Sequence, residues 1–310
     1  MNIIFMGTPK FVIPTLKEIH KYHNLQAIFT QTDKPNSRGN KIIFSPVKNF
    51  ALENNILLFQ PLTLKSEEIY EKIKGINPDI IIVAAYKKMV PDNIINLGKY
   101  KAINVHPSLL PKYRGSSPIK TPLLNGEKES GVTIIELCDK MDAGDILIQK
   151  KIKISENENF ETLHDKLSIL SSECINEFLN NCKHYFKNKK KQDENLATFT
   201  QLIKKEQLRF DFDFEKKKLI NLTKAFAPFP GTYAFFKDKR VKIFEIESFE
   251  NTYNSNKNGE IVDFVKRKGI VVKVSAGFIV IKELQFENKK RISGSDSINS
   301  NIFQKGDCFE

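Results

Sequence analysis

A run of apolar residues, Ile80-Ile81-Ile82-Val83-Ala84-Ala85, is the feature that most limits the folds open to this chain. Pro78-Asp79 precedes the run, and Tyr86-Lys87-Lys88 follows it. A continuous apolar strand of this length is typical of a parallel sheet that is covered on both faces. Because parallel strands need long crossover connections, which are usually helices, the run predicts an α/β domain.

The N-terminal residues agree with that class. Ile3-Ile4-Phe5-Met6 predicts a short buried strand that ends at Gly7-Thr8-Pro9, a helix is predicted from Phe11 to about His20, and Ala27-Ile28-Phe29-Thr30 predicts a second strand. This order is that of a doubly wound, Rossmann-like parallel sheet. The first turn lacks Gly-x-Gly-x-x-Gly, which argues against a generic nicotinamide-dependent oxidoreductase.

The C-terminal third has a different pattern. From Thr232 onward, short β-type runs alternate with Asn, Gly and Lys turns, which predicts a small β-barrel of the oligonucleotide/oligosaccharide-binding (OB-like) type. Residues 187–195 are charged or polar and contain no apolar side chain, so they are the best linker candidate. We therefore predict an α/β catalytic domain at 1–186, a linker at 187–205 and a barrel at 206–310.

The charge balance favours a polyanionic partner. The chain has 49 Lys and Arg against 37 Asp and Glu, a net charge of +12. Such an excess favours nucleic acid, although a composition this rich in Lys, Asn, Ile and Phe can also reflect biased codon usage. Basic residues lie at predicted turns and edges of the barrel, where they form either a phosphate-binding surface or an ordinary solvated face. They are Lys237, Lys239, Arg240, Lys266, Arg267, Lys268, Lys289, Lys290 and Arg291.

The sequence predicts a cytoplasmic location and no metal. No run of 18 apolar residues is present, and Met1 to Gly7 reads as a first strand rather than a signal peptide. The four cysteines form no Cys-x-x-Cys pair and have no zinc-type spacing, so we expect reduced thiols.

Asn104 and His106 are the first candidates for chemistry. They lie two residues apart at the end of a predicted strand, so their side chains share a face. An amide donor beside an imidazole suits acyl transfer, but an Asn-x-His at an ordinary strand end is the simpler alternative. Ligands in open α/β sheets bind at the carboxyl ends of the strands, where the loops at Gly7, Tyr86 and His106 are expected to converge. A later loop returns carboxylates to this region: Asp139, Asp142 and Asp145.

The longest motif resembles a known family. Asn104-x-His106-Pro-Ser-Leu-Leu-Pro-x-Tyr-Arg-Gly115, followed by Asp142-x-Gly144, is similar to the signature of the formyltransferases that use 10-formyltetrahydrofolate. Other segments, spread over essentially the whole chain, resemble the branch of that family that formylates methionyl-tRNA. They are Met6-Gly7-Thr8-Pro9-x-Phe11, Gln31-x-Asp33-x-Pro35-x-x-Arg38-Gly39, Ser45-Pro46-Val47-Lys48, Val132-Thr133-Ile134, Ala225-Phe226-x-Pro228-x-Pro230-Gly231, Ile281-Lys282-Glu283-Leu284-Gln285 and Lys289-Lys290-Arg291.

The resemblance implies transfer of a formyl group from N10 of the folate to the α-amino group of methionine on initiator tRNA, by a monomer. It implies catalytic roles for Asn104, His106 and Asp142, the last preferred over the other two aspartates only by its match to Asp-x-Gly. It places folate on Ser108-Leu109-Leu110-Pro111 and Tyr86, and the tRNA acceptor stem on Arg38 and Lys41. A sister transferase acting on a nucleotide-sugar or purine-pathway amine is the alternative, and an inactive RNA-binding protein is a second.

Three further features of these motifs lead to structural expectations. We expect a cis Leu110–Pro111 bond, since tight functional turns often use that form. Tyr86-Lys87-Lys88 stands where relatives commonly carry Tyr-Gly-Gln, so the pterin contacts of this loop are expected to use the main chain. Arg114 is expected to hold folate, tRNA or its own loop.

Overall fold

The structure, a computed structural model, describes residues 1–35, 42–298 and 302–310. Two compact units are present: one comprises 1–118, 129–153 and 164–201, and the other 119–128, 154–163 and 202–310. The segment at 187–201, predicted as part of a linker, thus lies within the first unit. The predicted domain boundaries stay a prediction.

The strands are β1 (Asn2–Gly7), β2 (Asn24–Phe29), β3 (Lys34–Pro35), β4 (Ile42–Ile43), β5 (Leu57–Phe59), β6 (Ile80–Ala84), β7 (Ile103–His106), β8 (Arg114–Gly115), β9 (Glu129–Glu136), β10 (Ile146–Lys153), β11 (Phe199–Thr200), β12 (Thr232–Phe236), β13 (Lys239–Phe249), β14 (Ile261–Val265), β15 (Gly269–Val274), β16 (Gly277–Phe286) and β17 (Ile292–Ser293). The helices are α1 (Ile13–Tyr22), α2 (Pro46–Glu53), α3 (Glu67–Ile76), α4 (Asp92–Ile95), α5 (Lys120–Leu124), α6 (Phe160–Asn180), α7 (Cys182–Lys187), α8 (Lys216–Phe226) and α9 (Gly294–Ile298). Short 3-10 turns lie at Lys10–Val12, Glu194–Leu196 and Lys205–Leu208.

The first unit is built on a seven-stranded sheet of order β10-β9-β7-β6-β1-β2-β5. Its central strand is β6, all of whose residues are buried, so the α/β prediction from the apolar run is confirmed. The strands from β7 to β5 are parallel, while β9 and β10 are antiparallel. The loop at 137–145 joins β9 directly to β10 without a crossover helix, which is why these two strands run in opposite directions.

The strand register brings the predicted loops together. Gly7 at the end of β1 pairs with Ala84 at the end of β6, and Val83 pairs with Asn104 on β7. The carboxyl ends of the three strands therefore meet at one edge of the sheet, as the sequence predicts.

Local signals in the sequence explain how the nearby helices begin and end. The Ser45 hydroxyl accepts a hydrogen bond from the Lys48 amide at 3.1 Å, and Pro46 occupies the first turn of α2. Helix α3 ends at Ile76, and the next residue, Asn77, has a φ of 51°, a left-handed conformation that asparagine tolerates.

The second unit contains an antiparallel sheet of order β12-β13-β16-β15-β14, with β17 on β16. The last residues of the chain join its two edges. The amide of Glu310 donates to the Phe235 carbonyl at 2.8 Å, and the amide of Phe309 donates to the Gly259 carbonyl at 2.8 Å. The C-terminal residues thus bridge the two edge strands, which agrees with the predicted small barrel.

The chain has four free cysteines, and burial raises the pKa of Cys174 and of Cys182 to about 12. Among the described residues, no helix is long and apolar enough to cross a membrane.

Candidate active site

Asn104 and His106 lie on β7, and the loop after β9 brings Asp142 to them. The Asn104 Nδ2 donates to Asp142 Oδ1 at 3.1 Å, and the amide of Gly115 donates to Asp142 Oδ2 at 2.8 Å. His106 Nδ1 lies 3.6 Å from Asp142 Oδ1. Of the rival carboxylates, Asp145 pairs with Lys189 at 3.2 Å and Asp139 is exposed. The geometry therefore groups Asn104, His106 and Asp142.

The hydrogen bond of His106 Nε2 determines which nitrogen of the ring is free. Nε2 lies 3.0 Å from the Tyr113 carbonyl oxygen, which can only accept a hydrogen bond. Nε2 therefore carries a hydrogen, and in the neutral ring Nδ1 has the lone pair. That lone pair faces the Asp142 side, so the imidazole can take up a proton at Nδ1 and become paired with the carboxylate.

Two glycines of the motif are required by close backbone approaches. A Cβ on Gly115, whose φ is 111°, would lie 2.4 Å from the Thr200 carbonyl oxygen. A Cβ on Gly144 would lie 1.8 Å from the Glu136 carbonyl oxygen. Any side chain at either position would push the turn that carries Asp142, or the amide that binds it, out of place.

The predicted folate segment, residues 108–111, is held in place by hydrogen bonds between its main chain and side chains of neighbouring strands. The Leu110–Pro111 bond is cis, as predicted. The Leu110 amide donates to Thr133 Oγ1 at 3.2 Å, and its carbonyl accepts from Gln149 Nε2 at 2.8 Å. The Ser108 side chain is fully buried, and its hydroxyl donates to the Lys112 carbonyl at 2.8 Å. Leu109 and Pro111 are half-buried and remain available as an apolar wall.

Tyr86 contributes only its main chain to this edge. Its side chain is 1% exposed within the core cluster, and burial raises the pKa of the phenol to about 12. Its carbonyl accepts a hydrogen bond from Gln31 Nε2 at 3.0 Å. Lys87, at the position where relatives commonly have glycine, has a φ of 62°. This φ is left-handed, a conformation that glycine adopts without strain and lysine rarely adopts.

The loop predicted to bind the tRNA acceptor stem begins at an anchored residue. Lys48 pairs with Asp33 Oδ2, and Gln60 Nε2 donates to Asp33 Oδ1 at 3.0 Å. These two bonds hold the pKa of the Asp33 carboxyl below its ordinary value. Arg38 and Lys41 lie outside the described residues.

The basic side chains of the barrel are partly neutralised. Lys237 pairs with Asp307 at 3.0 Å, Lys268 with Glu247 at 3.1 Å and Arg291 with Glu283 at 3.2 Å. The Arg240 guanidinium stacks over the Tyr233 ring at 4.1 Å from its centroid. This pattern supports the solvated-face alternative for three of the predicted residues and leaves the phosphate-binding surface a prediction.

Sequence reasoning missed the residues that surround the group formed by Asn104, His106 and Asp142. Arg114 is 2% exposed and binds Gln192 and Glu194, both from the segment predicted as a linker. Thr198 Oγ1 accepts from the Tyr113 amide at 2.9 Å. The polar composition of residues 187–195 predicts a flexible linker. No motif in the sequence indicates that Gln192, Glu194 and Thr198 contact the turn at residues 113–114. Within the described residues, no group of three or more His, Cys, Asp or Glu side chains is arranged to hold a metal ion.

Known proteins resemble this chain in sequence and fold. Residues 1–179 match the family described as Formyl transferase, and residues 202–301 match Formyl transferase, C-terminal domain. Methionyl-tRNA formyltransferase from Fusobacterium nucleatum subsp. nucleatum is 38% identical over 307 residues, covering 99% of both chains. The protein of the same name from Sulfurihydrogenibium sp. is 39% identical over 312 residues, covering 100% of both.

Two solved structures share the fold. HypX from Aquifex aeolicus, in complex with tetrahydrofolic acid, has a TM-score of 0.63 at 16% identity, covering 99% of this chain and 50% of that one. This chain thus spans about half the length of HypX. The N-formyltransferase from Helicobacter canadensis, in complex with folinic acid and dTDP-3-aminofucose, has a TM-score of 0.65 at 19% identity, covering 92% of this chain and 99% of that one.

Proposed function

Because this chain belongs to the formyl transferase family, whose two domains it matches, we propose that it transfers the formyl group of 10-formyltetrahydrofolate to the α-amino group of methionine on initiator methionyl-tRNA. The observation that carries the proposal is the Asn104, His106 and Asp142 cluster in a chain that resembles methionyl-tRNA formyltransferases over its full length. Because initiator methionyl-tRNA is used where translation begins, we propose that the enzyme acts in the cytoplasm, and that it acts as a monomer.

The two substrates supply the reacting atoms. 10-Formyltetrahydrofolate provides the formyl carbon and releases it from N10. The α-amine of methionine is the nucleophile, so no serine or cysteine nucleophile is needed. An α-amine has a pKa of about 7.7–8.0, so roughly a tenth or more is the free base at neutral pH. The protein must then stabilise charge on the formyl oxygen and move protons.

Asn104 is the proposed donor to the formyl oxygen. Its amide nitrogen has two hydrogens, of which Asp142 takes one. The second is available for the oxygen on which negative charge develops. One donor of this kind is typically worth about 3–4 kcal/mol, or 10²–10³ in rate.

His106 is the proposed proton acceptor. Its Nδ1 lone pair takes the proton that the attacking nitrogen loses, and the resulting imidazolium shares the site of the formyl oxygen. Nε2 stays bonded to the Tyr113 carbonyl throughout, so the ring keeps its orientation.

Asp142 is proposed to stabilise the imidazolium and to relay the proton through water toward the departing N10. Its two oxygens are already bound by Asn104 and by the Gly115 amide, which keeps the carboxylate facing the ring. The apolar faces of Leu109 and Pro111 are proposed to support the folate, with the main chain near Tyr86 as a second contact. Arg38 and Lys41 are proposed to hold the acceptor stem.

A competition between acceptors tests the proposal. The full-length protein is incubated with 10-formyltetrahydrofolate and, separately, methionyl initiator tRNA, methionyl elongator tRNA, a nucleotide-linked amino sugar and a small purine-pathway amine. We expect formylation of methionyl initiator tRNA to have by far the highest kcat/KM. Preferred formylation of either small amine would replace the proposal with a sister transferase, and no formylation of any acceptor would support an inactive RNA-binding protein.

A further inference from the structure

Gln192 contacts the turn at residues 142–144, which we call the catalytic turn. It does so from a segment that contains no motif residue. Its side chain is largely buried, and its Nε2 donates to the carbonyls of Asp142 and Gly144, both at 2.8 Å. The two hydrogens of one amide thus bind both ends of the Asp-x-Gly turn. The proposed catalytic roles do not use this contact.

Arg114 determines which way the Gln192 amide points. The Gln192 Oε1 accepts from Arg114 Nε at 3.0 Å and from Arg114 Nη2 at 2.8 Å. A guanidinium can only donate hydrogen bonds, so the oxygen of the amide must face Arg114. Its nitrogen must therefore face the two carbonyls of the catalytic turn.

Arg114 is itself held in one position. Its Nη1 and Nη2 donate to the two carboxylate oxygens of Glu194 at 2.9 and 2.8 Å. Strand β8, which contains Arg114, pairs with β11. The sequence left open whether Arg114 holds folate, tRNA or its own loop. Its Nε, Nη1 and Nη2 all bind residues of the chain itself, so Arg114 holds its own loop.

The catalytic turn needs such support. Asp142 has a φ of 51°, a left-handed conformation that an aspartate adopts less readily than glycine. A backbone in a sparsely populated conformation persists when its surroundings hold it there. Gln192 holds the carbonyl of the residue whose carboxylate binds Asn104 and Gly115.

We infer that Gln192 is a positioning residue for catalysis: oriented by Arg114, it holds the Asp142 carboxylate against Asn104 and His106. The inference rests on the proposed formyl transfer. It gives the predicted linker, residues 187–205, a role in the reaction in addition to its role of connecting the two family domains.

Three variants of the full-length enzyme test this role. Gln192→Ala removes every contact. Gln192→Glu keeps an oxygen for Arg114 but directs the other oxygen at two carbonyls, so it separates the Arg114 contact from the Asp142 contact. Asp193→Asn, an exposed neighbour whose side chain only caps the Asn195 amide, is the matched control.

We expect Gln192→Ala and Gln192→Glu each to lower kcat by about 10- to 100-fold, as misplacement of a catalytic group does, with KM for both substrates unchanged. Asp193→Asn should retain wild-type kcat. A wild-type kcat in Gln192→Glu beside a reduced kcat in Gln192→Ala would show that only the Arg114 contact matters and would overturn the inference.

A double-mutant cycle with Asp142→Asn separates positioning from general stability. If Gln192 acts through Asp142, Gln192→Ala should reduce kcat little further once Asp142 is replaced. Multiplicative losses in the double variant would instead indicate an independent structural effect. If the wild-type enzyme does not formylate methionyl initiator tRNA in the same assay, the proposed function fails; if it does and the Gln192 variants match it, only this inference fails.

Discussion

His106 illustrates how a single hydrogen bond selects a chemical role. The Tyr113 carbonyl occupies Nε2, so only Nδ1 can exchange a proton with substrate. Tyr113 presents this carbonyl from a left-handed backbone, φ 65°, in the turn before Arg114. The identity of the proposed proton-accepting atom therefore depends on a main-chain group seven residues away.

The first prediction concerns the two residues of β7. Asn104→Ala removes the proposed donor to the formyl oxygen and His106→Ala the proton acceptor, so each should lower kcat by about 10²–10³-fold. The measurement is single-turnover formylation with both substrates saturating, together with tRNA affinity, which should be nearly unchanged. His184→Ala, which replaces an exposed histidine on α7, is the control and should behave as wild type. Near-wild-type turnover in either β7 variant would remove that residue from the mechanism.

The second prediction uses two glycines in contrasting surroundings. Gly144→Ala forces a Cβ against the Glu136 carbonyl and should lower the free energy of unfolding by about 1–3 kcal/mol, with loss of turnover. Gly75→Ala, on α3, meets nothing within 4 Å and should raise the free energy of unfolding by about 0.5–1 kcal/mol. Urea unfolding of both variants measures these changes, and a stable, active Gly144→Ala enzyme would contradict the close approach.

At the scale of the elements, the closing segment of the barrel is the least expected feature. Residues 306–310 bond to β12 on one side and to residues 259–261, at the start of β14, on the other. Phe309 is 2% exposed and its ring lies 5.6 Å from that of Phe212 and 5.1 Å from that of Phe236, centroid to centroid. The last turn of the chain is therefore part of the barrel core.

The third prediction follows from that packing. Phe309→Ala should lower the free energy of unfolding of the barrel by about 3–5 kcal/mol, because it leaves a cavity among aromatic rings. Phe229→Ala is the matched control, since Phe229 is 75% exposed and its loss should change stability little. Thermal and urea unfolding, followed by circular dichroism, compare the two variants. Equal stabilities would mean that the C-terminal residues do not close the barrel in solution.

At the scale of the whole molecule, the net charge of +12 makes a prediction about salt. Binding of tRNA releases counterions, so kcat/KM for methionyl-tRNA should fall by at least about 100-fold between about 50 and about 200 mM salt. The kcat/KM for 10-formyltetrahydrofolate, measured at saturating tRNA, should fall much less and serves as the internal control. If kcat/KM changed equally little with salt for both substrates, the result would argue for a small-molecule acceptor.

The sequence by itself determined the fold class and the composition of the candidate site. A strand buried on both faces must be apolar throughout, so the sequence of Ile80–Ala84 alone predicts a parallel sheet. The two-residue alternation of a strand places the side chains of Asn104 and His106 on one face. The motif that contains them, with Asp142, also carried the family resemblance, because its prolines, arginine and glycines form a long and specific pattern.

Tertiary structure alone decided which groups touch these residues. The bonds of Asp142 to Asn104 and Gly115 and the contact of Gln192 with the same loop join residues far apart in sequence, and the Nε2 bond of His106 spans seven residues. None of these pairings has a local signal in the sequence. The segment 187–205 is predicted as a linker because its first nine residues, 187–195, contain no apolar side chain. In the structure, Gln192 of this segment instead hydrogen-bonds two carbonyls and a buried guanidinium. These hydrogen-bond requirements arise only once the chain has folded around them.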